Sequence, residues 1–444
     1  MPENKQKIAN LERLNLEQKE AVAYGDGPLL IVAGAGTGKT TVITERIAWL
    51  IEQGLAKPEE ILALTFTDKA AGEMEERIDK VLPYGYVDLW VMTFHSFAER
   101  ILKAHALDIG VPNDFRLLTQ TEQWLLVRNN IEKFKLDYYR PLGNPTKFIH
   151  ALIKHFSRCK DEEIWPEEYL RYTEELRMNL DGMESGVKNG KSKIQISNQI
   201  QNPKSKKIKR GEEVAGELDG RIDLIEVNRL EEIANAYHIY QQLLLDNSVL
   251  DFGDLINYTL KLFRTRPNIL KYYQKQFKYV LVDEFQDTNF AQYELVKLLA
   301  GERRNLTVVG DDDQSIYKFR GASVSNILQF KDDYQEAAEV FLNKNYRSRQ
   351  NILDLAYSFI QLNNPERLEI KIQEYKNTRI QEYPNKKSGV LTKKLEAEIG
   401  GEGEIEYYQA GDEAGEVEWV VNKIIGIYNR ERSKADEPRD ESGV

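Results

Sequence analysis

Lys39 and Thr40 close a glycine-rich stretch, Ala33-Gly34-Ala35-Gly36-Thr37-Gly38, and this order of residue types fits phosphate binding. Glycines let a loop turn its backbone N–H groups inward around a phosphate chain. Lys39 would reach the β- and γ-phosphates, and the Thr40 hydroxyl would bind Mg²⁺. The general P-loop pattern asks for glycine where Ala33 stands, so the match is one residue short. An acidic pair, Asp283-Glu284, ends the apolar run Tyr279-Val280-Leu281-Val282. Facing a P-loop, Asp283 can hold Mg²⁺ beside Thr40, directly or through water. Glu284 can orient and deprotonate the attacking water. Gln314 follows another apolar run, Leu306–Gly310, and suits a γ-phosphate sensor. Arg347 either serves as an arginine finger across a domain gap or is a surface ion-pair partner.

These groups need rigid elements behind them. Leu29–Val32 reads as a buried strand, and Thr41–Leu50 as the amphipathic helix that follows the loop, whose N-terminus adds partial positive charge. Ile61–Phe66, Val87–Phe94, Tyr279–Val282, Leu306–Gly310 and Glu339–Leu342 are further strands, most followed by helical stretches. Such alternation with short loops implies an α/β fold with a parallel sheet covered on both faces. Ligands of such sheets sit at the carboxyl ends of the strands. Residues 14–24 read as a helix with Asn15 as N-cap; Gln18 on it either packs or pairs with an adenine edge.

Thr65-Phe66-Thr67 and Thr93-Phe94-His95-Ser96 also fall at strand ends. Phe66 and Phe94 are either core residues or a stacking platform for single-stranded bases. Two such ends in one sheet favour the platform, with hydroxyls on phosphates. His95 has no metal partners in the pattern. Phe319-Arg320 sets a ring beside a cation, again suited to a base and a phosphate. The triplet Asp311-Asp312-Asp313 is expected to cap the next helix and make structural hydrogen bonds rather than bind metal.

The length of 444 residues gives a prior of about three domains. A hydrophobic content of 41% and a charged content of 30% fit a globular, water-soluble chain. No apolar run approaches a membrane span, and the polar N-terminus lacks a signal-peptide core, so a cytoplasmic location without membrane partners is expected. Cys159 is the only cysteine, which excludes an intrachain disulfide and any multi-cysteine zinc site. A net charge of −11 argues weakly against nucleic acid, but basic grooves coexist with acidic totals.

From about Leu107 to Leu250 the strand–helix rhythm stops, and Gln120–Lys133, Asn144–Cys159, Pro166–Leu180 and Arg221–Leu245 read as helices. This is a mainly helical insertion. Inside it, 185–211 lacks any acidic residue and reads as a mobile basic loop, either a solvated linker or a DNA-backbone contact. Past the Arg347 block, 363–403 is polar, Glu404–Gln409 reads as a strand and Asp412–Tyr428 as a helix. Residues 429–444 read as a charged, disordered tail.

Taken together, the blocks resemble the UvrD/PcrA/Rep family of superfamily 1 DNA helicases, from Leu14 to about Lys423. Leu14-Asn15-Leu16-Glu17-Gln18 resembles the adenine-reading Q motif. Ala33 to Thr40 resembles motif I, in which the family also has alanine first. Thr65 to Ala71 and Thr93 to Ser96 resemble the motifs that contact single strands. Val282 to Thr288 resembles motif II, Gly310 to Tyr317 with Arg320-Gly321-Ala322 motif III, and Asn345-Tyr346-Arg347-Ser348 motif IV. The resemblance implies a RecA-like first domain over 1–106 and 251–342, an insertion over 107–250 and a partial second RecA-like domain over 343–428. It implies a nucleotide site of Gln18, Ala33, Gly34, Ala35, Gly36, Thr37, Gly38, Lys39, Thr40, Tyr346 and Arg347. Tyr346 would stack on adenine and Arg347 would be the finger. The implied DNA track is Thr65, Phe66, Thr93, Phe94, His95, Tyr317, Phe319 and Arg320. The implied activity is ATP- and Mg²⁺-dependent 3′→5′ movement on single-stranded DNA, with unwinding at duplex junctions.

Three departures stand out. Phe319 occupies a position where the family usually has Trp, and Gly253 one that is usually acidic. The family's motifs V and VI are not found before Val444. The chain is therefore expected either to unwind DNA with a minimal second domain or a partner chain that supplies the missing motor elements, or to bind ATP and DNA without unwinding.

Overall fold

The computed structural model describes residues 11–81, 89–185, 224–314, 324–364, 367, 369–370 and 392–435. Its centre is a six-stranded, all-parallel sheet formed by β1 (Leu29–Ala33), β2 (Ile61–Thr65), β3 (Trp90–Thr93), β6 (Tyr279–Val282), β7 (Leu306–Gly310) and β8 (Ala338–Leu342), in the order β3-β2-β6-β7-β1-β8. The short strands β4 (Arg116–Leu117) and β5 (Val249–Leu250) pair with each other apart from this sheet. The register sets Leu30 opposite Val308 and Leu64 opposite Val282.

The strands are apolar along their whole length because both faces are covered. Successive side chains alternate between the two covers. Leu30, Val32, Leu62, Leu64, Val280 and Val282 enter one core cluster. Leu29, Ile31, Ile61, Ala63, Tyr279 and Leu281 enter the other. Helices α1 (Leu16–Val22), α2 (Lys39–Glu52) and α3 (Asp68–Val81) cover the second face. The first is covered by α4 (Phe94–His105) together with four helices from the later half of the chain.

A separate core belongs to α5 (Gln120–Asn129), α6 (Ile149–Asp161), α7 (Pro166–Ser185) and α8 (Leu224–Asp246). Cys159 is buried there, and its burial pushes the thiol up to about 12, so it packs rather than reacts. The chain then returns to the sheet through α9 (Phe252–Thr265), α10 (Pro267–Gln276), α11 (Phe290–Ala300) and α12 (Val324–Asp333). The 185–211 basic stretch lies outside the described residues, apart from the helix end at Ser185.

After β8 the chain starts a second, two-stranded parallel sheet, in which β9 (Lys344–Arg349) pairs with β10 (Glu396–Ile399). Two helices accompany it, α13 (Gln350–Ile360) and α14 (Glu413–Ala435). Two expectations are corrected here. The strand falls at Glu396–Ile399, not at Glu404–Gln409, because Glu396 and Glu398 there meet Lys344 across the ladder. Residues 429–435 continue α14 instead of starting a tail, since Asn429-Arg430-Glu431-Arg432 extends the helix without a Gly or Pro stop. Among the described residues, no helix is long and apolar enough to cross a membrane.

Candidate nucleotide and DNA site

All six strands of the large sheet run the same way, so their carboxyl ends share one edge. The loop after β1 and the pair Asp283-Glu284 after β6 meet there. Gly36 and Gly38 take φ of 78° and 89°, left-handed values that a side chain would strain. The Thr37 hydroxyl donates to Gly34 O (2.8 Å) and closes the loop. Lys39 Nζ donates to Glu284 Oε2 at 2.5 Å, with the lysine 9% exposed.

Glu284 itself sits at φ 49°, a backbone position that non-glycine residues rarely hold. Its N–H donates to Asp283 Oδ1 (2.9 Å), and its carbonyl accepts from Asp287 N (2.9 Å). Gln286 extends the array: Nε2 donates to Glu284 Oε2 (2.7 Å), and Oε1 accepts from Asp311 N (3.0 Å). Gln314 Nε2 in turn donates to Asp311 Oδ2 (2.8 Å). Lys39, Glu284, Gln286, Asp311 and Gln314 thus form one hydrogen-bonded chain across the ends of β1, β6 and β7.

Asp283 is buried, and desolvation together with the neighbouring Glu284 charge pushes its carboxyl up to about 6, Lys39 pulling the other way. A carboxylate in that setting gains from a cation close by. Carboxylate and hydroxyl oxygens from Asp283 and Thr40 are donors of the kind a hard ion such as Mg²⁺ takes.

Helix α1 is fixed against the loop from behind. Arg46 of α2 is buried and donates to the carbonyls of Ala21, Val22, Tyr24 and Gly25, which close the end of α1. Burial lowers the guanidinium to about 10. The sequence reading passed over Arg46, whose contacts run to backbone oxygens and to the distant Thr307 hydroxyl (3.1 Å) and leave no motif. At the front of α1, Asn15 and Gln18 form a capping box. Gln18 Nε2 also donates to Thr37 O (3.0 Å). One N–H and one lone pair of the Gln18 amide remain for an adenine edge.

The second sheet closes over the loop. Asn345 Nδ2 donates to Ala35 O (2.6 Å), and Tyr346 N donates to Gly36 O (2.9 Å). Asn345 Oδ1 accepts from the N–H groups of Arg347 and Ser348 (2.9 and 2.8 Å). Tyr346 and Arg347 are exposed beside the loop, and the Tyr346 hydroxyl accepts from Asn15 Nδ2 (3.1 Å). The sequence-named nucleotide residues therefore gather around one loop.

The proposed DNA track is less uniform. Phe66 is half-buried at the end of β2 and His95 half-buried at the start of α4. Phe94 is a correction: its ring is 1% exposed inside the core and offers no face to a base. As the first residue of α4, it is turned inward by the Thr93 cap. Thr65 is also fully buried, and its Oγ1 has no hydrogen-bond partner. Thr93 is buried and caps α4 by accepting from Ser96 N (3.2 Å). Tyr317, Phe319 and Arg320 lie outside the described residues. A ring that the sequence reading missed is Phe252, which is 50% exposed and packs edge-on to His95 with centroids 5.6 Å apart. Burial pulls the His95 imidazole below its ordinary value, with Asp68 and Asp251 opposing.

The acidic triplet makes the structural hydrogen bonds expected of it: Asp311 Oδ1 accepts from Asp313 N (3.2 Å) at the start of the short 3-10 turn Asp312–Gln314, and the carboxylates also receive Lys393 and, at Asp313, Arg367 from beyond β9.

The fold and the loop define a P-loop protein of the RecA-like class, and family comparison narrows this. The UvrD/REP helicase N-terminal domain matches over residues 14–335, and the UvrD-like helicase C-terminal domain over residues 340–437. The chain belongs to the UvrD/REP helicase family. It is similar to the ATP-dependent DNA helicase PcrA of Staphylococcus epidermidis, 37% identical over 417 residues, which cover 94% of this chain and 46% of that protein. PcrA of Staphylococcus aureus is 36% identical with the same coverage. The chain spans about half the length of these curated relatives.

Proposed function

We propose that the chain is an ATP-dependent DNA translocase and helicase. It hydrolyses ATP with Mg²⁺, moves 3′→5′ on single-stranded DNA and opens duplex at junctions. The observation that carries this reading is the array from Lys39 through Glu284 and Gln286 to Asp311, roofed by Asn345, Tyr346 and Arg347. Lys39 would take the β- and γ-phosphates on giving up Glu284. Freed, Glu284 would accept the proton of the attacking water. Gln314 and Arg347 would face the γ-phosphate, and Tyr346 the adenine. Mg²⁺, held by Thr40 and Asp283, would neutralise developing phosphate charge. Residues 1–106 and 251–342 would act as one motor domain, 107–250 as its insertion and 343–428 as part of the second domain. Phe66, His95 and Phe252 would form part of the strand path.

The test is ATP hydrolysis by the purified chain with and without single-stranded DNA, followed by strand displacement on a duplex with a 3′ tail. DNA-stimulated hydrolysis with displacement is the expected result. ATP and DNA binding without displacement would favour the second reading, a binding protein that unwinds only with a partner chain. Hydrolysis indifferent to DNA would sink both.

A further inference from the structure

Lys393 lies 80 residues and more beyond the strand end it touches, yet its ammonium sits among three carboxylates there. Nζ donates to Asp311 Oδ1 (2.6 Å), to Asp313 Oδ2 (2.8 Å) and to Asp312 Oδ1. An ammonium has three donors, and each meets one aspartate. Arg367 adds a two-pronged contact to Asp313 (2.9 and 2.8 Å) and a third to Glu369 (2.8 Å). Glu369 in turn accepts from Lys393 N (3.0 Å). The Lys393 side chain is 5% exposed, and the cluster borders a cleft of about 410 Å³ that Gly34, Ala35 and Arg347 also line.

Asp311 is the shared member of this cluster and of the nucleotide-site array. Its Oδ1 takes Lys393, its Oδ2 holds Gln314, and its N–H donates to Gln286, which in turn holds Glu284. Four hydrogen bonds therefore link Lys393 to Lys39 through Asp311, Gln286 and Glu284. Without the ammonium, buried Asp311 would lose the cation on its carboxylate, while Arg367 stays on Asp313. Asp311 Oδ1 would keep only the Asp313 N–H (3.2 Å), which would loosen its hold on Gln314 and, through the strand end, the backbone N–H that holds Gln286.

We propose that Lys393 is a positioning residue for ATP hydrolysis, which from the second domain sets Gln314 and, through Gln286, Glu284. This rests on the ATPase reading above. It gives the second domain a hold on the reacting end of the nucleotide site separate from Arg347.

The test compares Lys393→Met, which keeps length and removes charge, with Lys393→Arg. Loss of positioning lowers kcat by roughly 10- to 100-fold. KM for ATP stays within about threefold, since the phosphate loop is untouched, and Lys393→Arg recovers part of kcat. The second readout is amide hydrogen exchange at Asp311, whose N–H is held by Gln286; Lys393→Met raises it at least about tenfold. An unchanged kcat with unchanged Asp311 exchange overturns the proposal. So does a parallel loss of kcat and KM with faster exchange throughout 344–360 and 392–435, which marks a merely structural anchor. If the wild-type chain hydrolyses no ATP, the ATPase reading fails, and Asp311 exchange alone then decides the positioning role.

Discussion

Lys39 and Glu284 are paired at 2.5 Å, so the candidate phosphate-binding cation and the candidate general base occupy each other. A nucleotide must break this pair, and breaking it frees both groups at once. Removing either partner therefore has unequal effects. Lys39→Ala deletes the phosphate contact and leaves Glu284 without its cation, so both nucleotide affinity and hydrolysis should be lost. Glu284→Gln relaxes the hold on Lys39. Nucleotide affinity should be equal or tighter, while hydrolysis falls by about 10²- to 10⁴-fold, the usual scale of a lost general base. Fluorescent-nucleotide binding beside steady-state hydrolysis separates the two variants.

Gly36 should not tolerate a side chain, for two separable reasons. Its φ of 78° costs a non-glycine residue on the order of 1–2 kcal/mol. A Cβ there would also meet Arg347 Cβ at 2.6 Å and Asn345 Nδ2 at 2.9 Å. Gly54 has a similar φ of 69° with nothing within 4 Å of a Cβ. Gly54→Ala should therefore show the backbone cost alone. Gly36→Ala should show that cost in thermal unfolding and, in addition, weaker nucleotide binding. Equal behaviour of the two variants would mean that β9 does not rest on the loop as described.

Gly253 stands where the family usually has an acidic residue, and the neighbouring Lys160 accounts for it. A Cβ at 253 would lie 2.7 Å from Lys160 Cβ. Lys160 is fully buried and donates to Asp251 Oδ2 (2.6 Å), with Asp254 Oδ1 at 2.8 Å. Glycine to alanine within a helix ordinarily stabilises by up to about 1 kcal/mol. Here overpacking of about 1–3 kcal/mol opposes it. Gly253→Ala should come out less stable in denaturant titration, and Lys160→Met should not restore the loss, because the clash is with Cβ.

The glycine-rich loop was legible because its turn is local: Gly36, Gly38, Lys39 and Thr40 lie close together, and their spacing alone fixes the turn. The sheet was legible because residues such as Leu29–Val32 must be apolar on both faces. Phe66 and Phe94 looked alike in sequence, yet Phe94 is the first residue of a capped helix and points into the core, while Phe66 sits in the bend before α3. The Lys393 and Arg367 contacts had no such signal. They join a polar stretch to an acidic triplet far away in the chain, and charge patterning gives no partner at that range. The Gly253–Lys160 contact was hidden for the same reason: the glycine was visible as a departure, but its cause lies on another helix.

Asp161, the last residue of α6, should make stability fall as pH rises through the acid-to-neutral range. Burial pushes its carboxyl up to about 7, while Asn289 Nδ2, donating to Oδ1 at 2.7 Å, pulls the other way. Unfolded, the same group titrates near 4. Between these values the unfolded chain releases a proton that the folded chain keeps. The contribution of Asp161 is fully present below about pH 4, declines up to about pH 7 and is constant beyond. Asp161→Asn keeps an oxygen for Asn289 and removes the titration. Against wild type it should gain in unfolding temperature at pH 8 relative to its standing at pH 5. A difference that is the same at both pH values would show that the Asp161 carboxyl is ionised in the folded chain throughout.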